Sequence, residues 1–182
     1  MTWVLVTSNT DKWAEAQRIL GRPLERVSLD LPEIQAATTS EVAREKALVA
    51  YERLQRPVIV EDTGLELHAL GQFPGPFIKF WEKLGGLWSI CRALDGHVSR
   101  GATAVCALGV ADASGVRVVE GRLDGEISRT PRGDGGFGWD AIFIPGVDRG
   151  AASRTFGEMT SAEKDALSHR RRAWDALRTS PG

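Results

Sequence analysis

Apolar positions along this chain switch repeatedly between a two-residue and a roughly four-residue period. Residues 3–7, Trp-Val-Leu-Val-Thr, read as a strand, and Ser8-Asn9-Thr10-Asp11 as a polar turn supplying helix-capping side chains. A helix then runs from Lys12 to residue 20 and is closed by Gly21 and Pro23. Residues 24–29 alternate as a second strand, and Thr38-Thr39-Ser40-Glu41 is a capping box for a helix to about residue 54. Val58-Ile59-Val60 reads as a short inner strand that ends abruptly at Glu61-Asp62-Thr63-Gly64. After a Gly/Pro-rich loop come helices over residues 78–83 and 87–94. Strands over 103–110 and 116–122 form a hairpin turning at Asp112-Ala113-Ser114-Gly115, with further strands at 123–128 and 142–144. A second capping box, Thr160-Ser161-Ala162-Glu163, opens one last helix to about residue 178. Strands alternating with helices predict an α/β fold built on a mixed sheet.

Composition narrows the class. With 182 residues, 42% apolar and 26% charged, the chain has the makeup of a soluble globular protein, and a single domain over residues 1–182 is expected. A net charge of -1 gives no reason to bind nucleic acid or an anionic membrane. No apolar run approaches the ~20 residues needed to span a bilayer. The N-terminus shows no signal-peptide pattern, and Cys91 and Cys106 have no pairing or zinc-ligand spacing, which together predict a reduced, cytoplasmic protein.

Several stretches carry candidate chemistry. Two acids where a buried strand ends, followed by a loop bearing Lys79, suit a divalent cation and a phosphate, although Glu61-Asp62 alone reads equally well as a solvated acidic turn. The turn from Thr7 to Lys12 precedes a helix whose N-terminal amides could receive phosphate, but taken alone it reads first as an ordinary capped helix start. Gly133-Asp134-Gly135-Gly136-Phe137-Gly138 matches the dinucleotide fingerprint letter for letter, but it leads into a β-prone stretch rather than a helix, and a Rossmann site is rejected. Phe137 and Trp139 could instead stack on a nucleobase or pack in the core. On the last helix Ala166, Leu167, Ala173, Trp174 and Leu177 form one apolar stripe with Arg170 near its centre. A buried arginine requires an acceptor, either a structural partner such as Asp140 or a ligand. Lys164 lies near the start of that helix, where the dipole opposes a cation, so it is expected to serve an anion.

Taken in order, these blocks resemble the inosine triphosphate pyrophosphatase family. The matching pieces are Thr7-Ser8-Asn9 with Lys12 and Glu15; Asp30-Leu31-Pro32-Glu33; Val60 to Leu65 through Phe73 to Lys79; Phe137-Gly138-Trp139-Asp140; and Glu158-Met159 followed by Glu163-Lys164 and Ser168-His169-Arg170. The resemblance implies an elongated mixed sheet flanked by helices, two lobes with the active-site cleft between them, and a homodimer. It implies hydrolysis of non-standard purine nucleoside triphosphates (ITP, dITP, XTP) to the monophosphate and pyrophosphate, with magnesium as cofactor and manganese as a substitute. Carried over residue by residue, Glu33 and Asp62 are metal carboxylates, and Asp62 also activates the water that attacks the α-phosphate. Lys12, Lys46, Lys79 and Lys164 bind the triphosphate, Lys12 also being catalytic, with Thr7, Ser8, Asn9 and Thr63 lining the same region. Phe137, Trp139, Asp140, His169 and Arg170 form the base pocket, and Gly138 and Ser168 also belong to the substrate-binding set.

Ala141 and Asp165 depart from the family pattern, which has proline and asparagine there. A Maf-like nucleotide pyrophosphatase shares the N-terminal turn, but the Phe137 to Asp140 and Ser168 to Arg170 blocks argue against it. A catalytically silent nucleotide-binding module would have little need of both Glu33 and Asp62.

Overall fold

The computed structural model describes residues 3–146 and 153–180. Its seven strands form one mixed sheet in the order β2-β1-β3-β5-β6-β7, with β4 paired to β3 off that path. β1 (Val4–Val6) is apolar and buried, and pairs in parallel with β2 (Arg26–Val27) and β3 (Val58–Leu67). β3 is antiparallel to β4 (Pro74–Gly75) and β5 (Gly101–Asp112), β5 to β6 (Gly115–Ile127), and β6 to β7 (Phe143–Pro145). The helices are α1 (Thr10–Leu20), α2 (Thr39–Leu54), α3 (Ile78–Ala93), α4 (Ser161–Leu167) and α5 (His169–Thr179).

Side-chain alternation divides the sheet into two faces. One packs α2 against Val4, Val6, Val58 and Val60. On the other, Leu5, Ile59, Cys106 and Leu108 meet Ala16 of α1 and Trp174 of α5. Farther along this second face, Leu65, Leu67 and Ala104 pack with Ile78 and Ile90 of α3 and with Phe143 and Phe156. Two glycines permit the close approach of helices. A Cβ at Gly109 would collide with the carbonyl of Ala43 in α2, and one at Gly121 with the carbonyl of His169 and the amide of Ala173 in α5.

Four expectations are corrected. β3 does not end at Val60. Its pairing with β1 stops there, but its other edge stays bonded to β5 from Val58 opposite Ala111 to Leu67 opposite Ala102. The acids therefore lie beyond the carboxyl end of β1 and in the middle of β3, which ladder bonding along one edge suffices to keep extended. The strand expected over 24–29 is reduced to Arg26–Val27, because β1 offers only a short parallel edge. The strands expected at 116–122 and 123–128 are one, β6, held continuously by β5. Finally, the last helix is two. Ser168 has φ -64° and ψ 160°, ends α4 and caps α5, its side chain accepting from the Arg171 amide at 3.1 Å. A serine hydroxyl competing for backbone donors breaks a helix in this way. The stripe drawn across the break fails with it, and Ala166 is exposed. By contrast, the two helical runs expected on either side of Gly86 are observed, joined at that residue with φ 71° and ψ 167°.

Candidate active site

The odd-numbered row of β3 is apolar at Ile59 and Leu65 but carries Glu61 and Thr63 between them. This polar interruption separates the two apolar clusters on that face, and a cleft of about 620 Å³ opens over it. That volume suits a nucleotide-sized ligand.

On the α1/α5 side the charges form a buried row. Arg170 donates through Nε and Nη2 to Glu61 at 2.9 to 3.1 Å, and its Nη1 lies 2.7 Å from Glu15. Lys164 bridges Glu15 at 3.1 Å and Asp140 at 2.6 Å, while Lys12 approaches Glu61 at 3.4 Å. The expected partner of Arg170, Asp140, is thus taken by Lys164; the break at Ser168 aims α5 at β3 instead. Burial would raise the pKa of Glu15, but the charges of Arg170 and Lys164 outweigh it and hold it at about 2. The same contest, won by Arg170 and Lys12, lowers Glu61.

Asp62, the next residue, projects to the α2 side. Lys46 donates to Asp62 Oδ1 at 3.3 Å, to Glu33 Oε1 at 3.1 Å and to the Glu61 carbonyl at 3.3 Å. Here burial outweighs the lysines and raises the pKa of Asp62, whereas Lys46 lowers that of Glu33 against a burial effect of opposite sign. Asp62 Oδ2 is buried without a hydrogen-bond partner. An orphaned carboxylate oxygen with a second carboxylate near it fits a magnesium ion, which takes one or two carboxylates and completes its shell with phosphate oxygens and waters. Among the described residues no cluster of three or more His, Cys, Asp or Glu side chains could hold a metal alone.

At the far end, Asp140 accepts from the Phe137 amide at 2.8 Å and fixes the loop that carries the aromatic rings. Phe137 is partly exposed, with Lys164 Nζ 4.6 Å and the Arg170 guanidinium 5.4 Å from its ring centre. Trp139 is buried in the core cluster and tilts against His169 at 5.2 Å. His169 also stacks with Phe156, at 6.1 Å. Burial, reinforced by the charge of Arg170, pushes its pKa well below the usual imidazole value, so the ring is neutral; its Nδ1 has no partner. The fingerprint-like glycine run leads into a single 3-10 turn, Gly138–Ala141, and then β7, not into a helix.

The cleft lining includes Thr7, Ser8, Asn9, Lys12, Glu33, Lys46, Asp62, Thr63, Lys79, Phe137, Gly138, Trp139, Asp140, Lys164, His169 and Arg170. Ser168 is not among them, because its hydroxyl is used to cap α5. The Thr7 to Lys12 turn is partly closed on itself: Asn9 Oδ1 accepts from the amides of Asp11 and Lys12 at 2.9 and 3.0 Å. Sequence reasoning gave Glu15 no role, although it follows Lys12 by three positions and so shares its helical face. It also missed Phe80 and Glu82 of α3, which line the cleft; Glu82 is held above the usual carboxylate range by burial and by Asp140. Asp165, the departure beside Lys164, is paired with Arg18 at 2.6 Å.

Comparison with known proteins completes the picture. The model of the Ham1 family matches residues 3–180. Inosine triphosphate pyrophosphatase 2 of Trypanosoma cruzi is 45% identical over 178 residues, covering 96% of this chain and 89% of that protein. The dITP/XTP pyrophosphatase of Hyperthermus butylicus is 38% identical over 173 residues, covering 93% and 89%. The solved HAM1 protein from Coxiella burnetii superposes with a TM-score of 0.81 at 29% identity, covering 98% of each chain.

Proposed function

The chain belongs to the Ham1 family, and from that membership we propose that it hydrolyses inosine, deoxyinosine and xanthosine triphosphates to the nucleoside monophosphate and pyrophosphate. The observation that carries this reading is a single cleft with Lys12, Lys46, Lys79 and the Glu33 and Asp62 carboxylates toward one end and a ring-lined pocket with the donors Lys164 and Arg170 at the other. Lys12, Lys46 and Lys79 offset the triphosphate charge. Glu33 and Asp62 would hold a magnesium ion, which when bound draws charge from the phosphate oxygens and acidifies water. Asp62 takes the proton of the water that attacks the α-phosphorus, and the bond to the bridging oxygen of the β-phosphate breaks to release pyrophosphate. Its raised pKa suits a base.

Phe137 offers its face to the purine. Lys164 and Arg170 can only donate hydrogen bonds, so a 6-keto acceptor is favoured over the 6-amino donor of adenine. The reading also includes a homodimer in the cytoplasm, with exposed Phe80, Leu84 and Trp88 of α3 as apolar surface for a second copy; light scattering at two concentrations checks it. No helix among the described residues is long and apolar enough to cross a membrane.

The test is to supply inosine triphosphate, ATP and GTP with magnesium and identify the released product. Pyrophosphate from inosine triphosphate, far faster than from ATP or GTP and abolished by chelation, is the expected result. Orthophosphate, or equal turnover of all three, would overturn the reading.

A further inference from the structure

Glu61 is a point at which the two ends of this cleft touch the same atom. Its Oε1 accepts from Arg170 Nη2 at 2.9 Å and Nε at 3.1 Å, and Lys12 Nζ lies 3.4 Å from that same oxygen. Beyond Arg170 the row continues through Glu15 and Lys164 to Asp140, whose carboxylate anchors the Phe137 amide. Alternating charges thus run from the turn proposed to meet phosphate to the loop proposed to meet the base. The Glu61 and Arg170 side chains are only 1% and 2% exposed, and that of Lys12 is 16% exposed. Water therefore screens little between them, and two cations sharing one carboxylate oxygen must each weaken the other's hold on it.

We propose that Glu61 is a positioning residue that couples the base end of the cleft to its phosphate end, setting the availability of Lys12 by how firmly Arg170 is held. The proposal rests on the triphosphate reading given above. While Arg170 grips Glu61 with its forked donors, the carboxylate is largely satisfied and Lys12 can turn to phosphate. When that grip loosens, the unbalanced carboxylate draws Lys12 out of the cleft. A wrong base that disturbs Arg170 is then disfavoured at the reacting end, in kcat, and not only in binding.

A binding cycle tests this without requiring turnover. The affinity of inorganic tripolyphosphate, which has no base to contact Arg170, is measured by calorimetry for wild type, R170K, E61Q and the double variant. R170K should weaken tripolyphosphate binding about fivefold when Glu61 is present and by less than about twofold in the E61Q background, since coupling is the departure from additivity. E61Q alone should tighten tripolyphosphate a few-fold, because a negative charge beside Lys12 is removed, yet lower kcat for inosine triphosphate about tenfold, a split that separates placement from binding. An equal effect of R170K in both backgrounds would overturn the coupling. So would an E61Q protein that loses affinity and kcat together, as a loosened fold would. Should E61Q not fold, E61D takes its place with the same expected loss of coupling, because it keeps the charge but is one methylene too short to reach both cations. A wild type that binds tripolyphosphate with the expected cycle but releases no pyrophosphate from inosine triphosphate would sink the proposed activity and leave the coupling standing.

Discussion

Glu61 and Asp62 are consecutive carboxylates on one strand, both buried and each within reach of a lysine, yet the protein treats them in opposite ways. Glu61 faces α1 and α5, where Arg170 takes both of its oxygens and its pKa is lowered. Asp62 faces α2, where Lys46 reaches one oxygen, the other has no hydrogen-bond partner, and burial raises its pKa. Strand alternation hands neighbours in sequence to different surroundings. A carboxylate whose hydrogen bonds are all made within the protein anchors the fold, whereas one left with an open oxygen keeps its capacity for a ligand or a proton.

The largest test of this contrast is Asp62→Asn. Loss of about 10³-fold in pyrophosphate release is expected, with the melting temperature nearly unchanged because only the Lys46 contact is disturbed; a variant retaining a tenth of its activity would break the contrast. Arg170→Met should do the reverse work on stability. Leaving Glu61 and Glu15 buried without their partner is expected to cost about 3–5 kcal/mol, seen in a thermal scan as a fall of roughly 10 °C.

Gly121→Ala sharpens the comparison from the side of the fold. A methyl group there pushes on α5 at His169 and Ala173, so about 1–3 kcal/mol of destabilisation should accompany a rise in KM for inosine triphosphate. Stability should also fall on acidification in two stages, readable by urea unfolding across pH. The unfolded chain binds a proton at His169 below the usual imidazole pKa while the folded ring stays neutral, so stability declines as pH drops through about 6.5. Glu15 protonates near 4.5 when unfolded but is held ionised to about 2 when folded, so its contribution is complete above 4.5 and disappears as pH falls toward 2. An imidazole nitrogen signal of His169 that titrates near its ordinary pKa would contradict the first stage. The smallest effect belongs to Lys79, whose side chain is 73% exposed. Lys79→Ala should raise KM only a few-fold, as expected of an exposed contact, and leave the melting curve in place.

Much of the architecture was legible because its signals are local. The Thr38 capping box, the two helical runs on either side of Gly86 and the hairpin turn at residues 112–115 all depend on side chains bonding to, or shaping, their own backbone; the strand expected at 142–144 is found one residue on, at Phe143–Pro145. The larger error fell where a distant partner decides: nothing near Val60 reveals that β5 will hold β3 extended past the acids. The break at Ser168 is local, its hydroxyl capping α5 through the Arg171 amide, and is hidden because the helical pattern continues on either side. Most of the candidate site was legible as residue types in order, through a resemblance spanning the chain. Ser168 was assigned to the cleft because it neighbours His169 and Arg170, yet its hydroxyl serves the backbone.

The sequence by itself determined the alternation of strands and helices that makes an α/β fold, the polar turn that starts α1, the rejection of the glycine-rich decoy and the set of charged residues available for a site. Only the tertiary structure decided which charge meets which. Arg170 chose Glu61 and Glu15 over Asp140, Lys164 became a bridge between two carboxylates, and Asp62 alone of the β3 pair kept an open oxygen. The reason is physical: backbone preferences act over a few residues, but ion pairing in a buried cleft depends on distances between α1, β3 and α5 that are fixed only when those elements pack against the same sheet.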